Sequence, residues 1–253
     1  MNDKTQAASP VLSHLKELSY RLKVTLLIYI IGVAVLMNFS EAVFSFLSTP
    51  IRDALPPGTP LIFLNAPDVF FTYLKVALLL SLFATAPFTF YHIWAFVAPG
   101  LYQHERRVFL GYFLLSVVLL FAGGAFAFYI VFPLIFKFFL GFSTETIQAM
   151  PAIREYLSLC LKLLFAFGLS FQIPIIVMIL VRLELVEVQT LATKRRYIIV
   201  WSVIIAAILT PPDIISQILL AIPMLLLYEV GLLLARLGRG AKSGDAQEPP
   251  ATT

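Results

Sequence analysis

Chemistry in this chain would rest on a few polar side chains set among a large apolar majority. The first group is His14, Glu17 and Arg21. Val11, Leu12, Leu15, Leu18 and Leu22 recur at helical spacing, so the three polar residues line one side of an amphipathic helix. Ser9-Pro10 supplies its N-cap and first-turn pair. Glu17 and Arg21 stand at the i,i+4 spacing of a solvated ion pair, whose worth is small. The second group is Phe96-Val-Ala-Pro99-Gly-Leu-Tyr102-Gln-His104-Glu105-Arg106-Arg107, an acid among bases. Glu105 is either neutralised by its neighbours or is a carboxylate offered to a cationic partner. A guanidinium docks on a carboxylate bidentately, which makes such recognition strong and directional. The third feature is Gln172, in Phe167-Gly-Leu-Ser170-Phe-Gln172-Ile-Pro174. A polar side chain deep in an apolar run is a functional hypothesis or an interhelical hydrogen bond. Glutamine does not titrate, so it relays no proton itself. Pro174 frees a backbone carbonyl near Ser170 and adds to the local polarity.

Other chemistries fail on spacing or depth. Gly168-Leu-Ser170 faintly resembles a membrane serine-protease nucleophile, which needs a base beside it. His14, His92 and His104 lie at or beyond the ends of apolar runs, and none shares the depth of Ser170. There is no G-x-x-x-x-G-K-[ST], hence no phosphate loop for ATP. Three scattered His and a single Cys160 build no His/Cys metal site and no internal disulfide. The expectation is a protein that is not an enzyme and carries no cofactor.

The elements that must position these groups are membrane helices. Of 253 residues, 60% are hydrophobic and only 13% charged, with 23 Phe against 14 acidic residues. A soluble domain carries about 45–50% apolar and about 25% charged residues. An ordinary cytosolic enzyme, a disordered chain and a nucleic-acid module are thereby excluded, and the +4 net charge has to be read by its position along the chain. Apolar runs place six spans at about 22–39, 69–90, 108–134, 157–181, 197–209 and 214–235. Together they make one transmembrane domain over 1–239, and the polar residues 240–253 read as a disordered tail. Thr210-Pro211-Pro212-Asp213 separates the last two runs, since Pro-Pro-Asp does not continue a helix. The apolar cores Tyr197–Leu209 and Ile214–Tyr228 reach only about 20–22 Å, short of a ~30 Å hydrocarbon layer. The first run follows Lys16, Arg21 and Lys23 but has no A-x-A-like site after Phe39, so it reads as an uncleaved anchor.

Charge orients the bundle. With six spans, 13 of the 18 Lys and Arg fall on the side that holds both termini, and three on the other. The termini are therefore expected in the cytoplasm. Lys75 and Lys162 lie near the far ends of their spans and snorkel. Pro87, Pro133, Pro174 and Pro223 predict kinks. The first external loop, Ser40 to Asp68, holds Pro50, Pro56, Pro57, Pro60 and Pro67 and is stiff; its Leu61-Ile-Phe-Leu64 patch packs on the protein. No internal repeat is visible, so the inverted-repeat transporter pattern has no support.

Four blocks resemble the TatC family, the multispanning subunit of the twin-arginine protein translocase. They are His14-Leu-Lys-Glu17-Leu, Asp68-Val-Phe-Phe-Thr-Tyr-Leu-Lys75, Trp94-Ala-Phe through His104-Glu-Arg-Arg107, and Arg195-Arg-Tyr197 through Thr210-Pro-Pro-Asp213-Ile-Ile-Ser-Gln217 to Pro223. The resemblance runs from about Ser13 to Leu237. It implies an all-α integral membrane protein, six helices in a curved, glove-like bundle with short fifth and sixth helices. It implies a receptor for Arg-Arg signal peptides of folded precursors in the prokaryotic cytoplasmic membrane, driven by the proton-motive force. Glu17 and Glu105 match the family glutamates that meet the paired arginines, and Phe96 a nearby aromatic. Pro50, Asp68, Gln172, Asp213 and Gln217 match positions tied to translocation or partner contacts. The implied partners are single-helix TatB, docking on the fifth span, and TatA, recruited later. The chain departs from the family at Ser19, where Arg is usual, at Gln172, where Glu is frequent, and at Asp68, where Glu is common.

Two other readings stand beside this one. A small-solute secondary transporter would need several intramembrane polar residues and, commonly, repeats. A structural scaffold would lack a peptide site.

Overall fold

In a computed structural model, residues 10–56, 58–97, 106–144, 149–210 and 214–244 are described. They form eleven helices and no β-strand, with one isolated parallel bridge between Ile62 and Ala152. Chain packing divides them into two compact units. Unit 1 is Met1–Phe46 with Asn65–Val117; unit 2 is Leu47–Leu64 with Val118–Thr253.

In unit 1, α1 (Pro10–Leu36) is a single helix. The amphipathic segment and the first apolar run are therefore continuous, because nothing between Leu22 and Val24 breaks the helix. A short 3₁₀ turn, Met37–Phe39, leads to α2 (Ser40–Leu47). α4 (Pro67–Val97) runs through Pro87 and packs along α1. The approach is close at Gly32, where a Cβ would collide with the Ser81 hydroxyl and meet Thr85 Cγ2 at 3.0 Å. Ser81 Oγ donates to the Tyr29 carbonyl (2.9 Å), and Tyr29 Oη donates to the Leu78 carbonyl (3.0 Å). Small and hydroxyl residues at a helix contact are how helices associate where lipid removes the hydrophobic drive. α5 (Arg106–Phe126) meets the end of α4 through Trp94, whose ring stacks on Tyr112 (5.4 Å) and whose Nε1 donates to Ser116 Oγ (3.1 Å).

In unit 2, α3 (Thr49–Ala54) starts with Pro50 in its first turn, where the missing N–H costs nothing. A π turn, Ala127–Val131, joins α5 to α6 (Phe132–Leu140). The Phe132 N–H reaches back to the Ala127 carbonyl, and Pro133 follows at once. A widened turn there relieves the proline ring's clash with the preceding turn. The fourth apolar run is two helices, α7 (Ile153–Ser170) and α8 (Ile173–Arg182), where the sequence alone suggests one kinked span. α8 ends with Glu184 in the left-handed region (φ 58°). The Leu185 N–H bonds the Leu180 carbonyl and the Glu184 N–H the Val181 carbonyl, a Schellman closure without its usual glycine.

α9 (Val188–Thr193), α10 (Arg195–Leu209) and α11 (Ile214–Gly244) complete unit 2. α11 packs on α8 closely enough that a Cβ at Gly231 would meet Pro174 Cα at 2.9 Å. Among the described residues, five apolar helical stretches have the length and composition to cross a membrane: Leu12–Ala54, Pro67–Phe96, Leu110–Leu140, Ile153–Arg182 and Ile214–Leu237. α10, with 15 residues, spans about 22 Å and is short as expected. The sixth run is not short. Its apolar stretch continues past Tyr228 to Leu237, 24 residues or about 36 Å. Glu229 does not end it, because that charge is neutralised by a bridge from α10 described below. The helix itself continues to Gly244, past Arg239, where the sequence suggests a disordered tail.

The proline-rich segment 40–68 is held at its middle. Ile62 donates to the Pro151 carbonyl (3.2 Å) and accepts from the Ile153 N–H (2.8 Å). Tyr156 Oη donates to the Leu47 carbonyl (2.5 Å), so the start of α7 also holds the end of α2. Leu61-Ile-Phe-Leu64 packs only in part: Phe63 and Leu64 are exposed.

Candidate functional site

The first site candidate lies in unit 1. The helical phase of α1 puts His14, Glu17 and Arg21 on one stripe. Arg21 donates to one carboxylate oxygen of Glu17 twice, from Nε (3.0 Å) and from Nη2 (2.6 Å), both to Oε1. The other oxygen, Oε2, lies 3.9 Å from His14 Nδ1, too far for a hydrogen bond. The His14 ring stacks on Phe96, in the last turn of α4, with centroids 4.2 Å apart and planes 14° apart. Glu17 and Phe96, far apart in sequence, thus flank one histidine. His14 and Glu17 remain open to the surroundings, at 50% and 37% exposure, while Arg21 is more sheltered at 22%. The arrangement is an accessible carboxylate whose second oxygen accepts no hydrogen bond among the described residues, beside an aromatic stack. It suits a cation carried on a partly apolar ligand.

Glu105, the second expected carboxylate, and Asp213 lie outside the described residues. The remaining candidates are dispersed. Asp68 is 5% exposed and folds back on the start of α4, its Oδ2 accepting from the Asn65 N–H (3.1 Å) and Nδ2 (3.3 Å). Both bonds run from Asn65 to one carboxylate oxygen, so this is the acidic half of a capping box, with Asp in the place of Glu. Pro50 opens α3. Gln172 is 7% exposed and sits at the break between α7 and α8, its N–H on the Leu169 carbonyl and its own carbonyl taking the Ile176 N–H (both 3.0 Å). Gln217 Nε2 donates to the Val203 carbonyl (3.1 Å) and so ties α11 to α10. Asp68 and Gln172 are buried within their own units, so they hold helix ends rather than present a surface.

The sequence reading misses two features. His14 links the carboxylate to the aromatic; its i,i+3 spacing to Glu17 was the available signal. Glu229 pairs with Arg195 of α10. Arg195 Nε reaches Oε1 (2.6 Å) and Nη2 reaches Oε2 (2.8 Å), a fork on both oxygens. Hydrogen bonding to Glu229, and then its charge, push the Arg195 guanidinium further above its ordinary pKa. An interhelical pair has no sequence spacing to reveal it. Among the described residues no cluster of three or more His, Cys, Asp or Glu could hold a metal ion.

Comparison with known proteins bears on the family and the fold. A family model described as Sec-independent protein translocase protein (TatC) matches residues 13–223. The chain is 42% identical over 251 residues to the Sec-independent protein translocase protein TatC of Magnetococcus marinus, covering 99% of this chain and 92% of that one. It is 37% identical over 233 residues to the protein of that name from Escherichia coli strain K12, covering 91% and 90%. Two crystal structures of the twin-arginine translocase receptor TatC superpose with TM-scores of 0.81 and 0.82. Their identities are 37% and 36%, each covering 88% of this chain and nearly all of the other.

Proposed function

The chain belongs to the TatC family of Sec-independent protein translocase proteins, and we propose that its Glu17 is where an Arg-Arg signal peptide first docks. It is an all-α, multi-pass membrane protein of a translocase, a role that involves no catalysis of its own. The observation that carries the proposal is the shared histidine, which sets the Glu17 carboxylate beside Phe96. Two carboxylates suit two guanidiniums, so Glu105 takes the second arginine. Phe96 and His14 supply an apolar wall on which the arginine stems and the peptide's next residues pack.

In this reading the chain makes six crossings with both termini in the cytoplasm, following the charge bias. The site then faces the compartment in which precursors fold. TatB docks along α10, whose Tyr197, Val200, Trp201 and Ile204 are exposed, and TatA joins later. The proton-motive force drives the cargo across. Pro50, Asp68 and Gln172 act through the helix ends they set, and Gln217 through the α10–α11 tie. Asp213, which falls between those helices in the sequence, is a further translocation residue.

A photocrosslinking probe at position 96, in membranes, tests the docking site. A precursor with an Arg-Arg signal crosslinks and its Lys-Lys counterpart does not. Equal crosslinking of both would reduce the site to charge attraction, and no crosslinking in folded protein would remove it.

A further inference from the structure

The resting carboxylate is already engaged by a guanidinium. Both Arg21 donors converge on Oε1 of Glu17. Arg21 is also the more sheltered of the two side chains, and among the described residues Oε2 accepts no hydrogen bond. An incoming ammonium needs one oxygen and finds Oε2. An incoming guanidinium makes its full fork only when both oxygens are free, so Arg21 has to let go.

We propose that Arg21 is a built-in occupant of the arginine site, an internal competitor that a signal-peptide guanidinium must displace from Glu17. This inference rests on the reading of Glu17 given above. It assigns Arg21 a part in specificity without contact with the precursor. The empty receptor keeps its carboxylate neutralised and held in place, so diffuse positive charge gains little from it. A ligand is rewarded for what Arg21 itself does, which is to bring two aligned donors to one carboxylate.

The sign of the effect is the test. Full-length protein in lipid nanodiscs is titrated with a fluorescent Arg-Arg signal peptide and its Lys-Lys counterpart. Arg21→Gln removes the competitor, and the Arg-Arg peptide binds about two- to fivefold tighter, the range set by the worth of an exposed ion pair. The Lys-Lys peptide gains less, because it never required the release. Arg21→Lys, which keeps the charge but not the two-donor fork, tightens Arg-Arg binding by a smaller factor and serves if the Gln variant does not fold. In a Glu17→Gln background the Arg21→Gln gain disappears, which separates displacement from a general loss of positive charge. Unchanged or weaker Arg-Arg binding in the folded Arg21 variants overturns the proposal, as does a gain that persists without Glu17. Wild-type affinity in Glu17→Gln alone overturns the docking site itself, and the competitor with it.

Discussion

Two Arg–Glu pairs in this molecule join the same groups in different geometries. In unit 1, Glu17 and Arg21 belong to one helix, and both donors fall on a single oxygen. In unit 2, Arg195 and Glu229 come from different helices and meet fork to fork on both oxygens. Exposure does not separate them: the glutamates are 37% and 47% exposed. What separates them is the oxygen left over. The i,i+4 geometry lets Arg21 reach round only to the near oxygen, so Glu17 keeps an acceptor to offer. The interhelical approach aligns the planes of Arg195 and Glu229, so that pair is saturated and joins α10 to α11. A charged pair reads as a binding site when it is incomplete and as a brace when it is complete.

The strongest way to break this contrast is to remove the carboxylates. Glu17→Ala with Glu105→Ala abolishes export of an Arg-Arg reporter, whereas Glu229→Gln leaves peptide binding within twofold of wild type. Each charge-assisted contact is worth about 1.5–3 kcal/mol, so losing Glu17 alone weakens Arg-Arg peptide binding by about ten- to a hundredfold. Undiminished export from a well-inserted double variant would leave the two pairs functionally alike.

A middle-sized effect comes from the scaffold under the first pair. His14 stacks on Phe96 because α1 and α4 pack along each other, closely so at the Gly32–Ser81 contact. Gly32→Leu forces those helices apart at a cost of about 1–3 kcal/mol, as for other overpacked contacts. The expected outcome is a lower thermal midpoint in detergent together with a weakened crosslink at position 96. An unaltered crosslink would mean that the site does not depend on this helix contact. The Arg195–Glu229 bridge lies in the other unit and should not respond.

How much of this was legible in the sequence follows the range of the interactions. That the chain is built of several long apolar helices was legible in its composition. Helix-local features were legible too: the Glu17–Arg21 pair is an i,i+4 spacing, and Pro133 marked a distorted turn. The departures all involve partners distant in the chain or choices among local geometries. Gln172 reads as one polar residue in a continuous span, but Pro174 and the approach of Gly231 on α11 make its position a helix break. Glu229 looks like the end of a short sixth span until Arg195 arrives from α10. Asp68 stands out in the sequence only through its family block, and its bond from Asn65 makes it a buried cap. The aromatic wall needed His14 and Phe96 to be brought together by helix packing, which no spacing encodes.

The smallest effect sharpens the comparison from the other side. If the Arg195–Glu229 fork is a brace, reversing it should preserve it. Arg195→Glu or Glu229→Arg alone sets like charges together and lowers the thermal midpoint by a few degrees at most, since exposed pairs contribute little. The shift shrinks in high salt, because both groups are open to screening ions. The double reversal restores the midpoint, and Arg-Arg peptide binding stays at its wild-type value throughout. The same reversal at Glu17 and Arg21 keeps the helix pair but removes the carboxylate from its place beside His14, so stability survives and peptide binding does not. One operation thus separates a pair that needs only complementarity from a pair in which the position of the negative charge is the function.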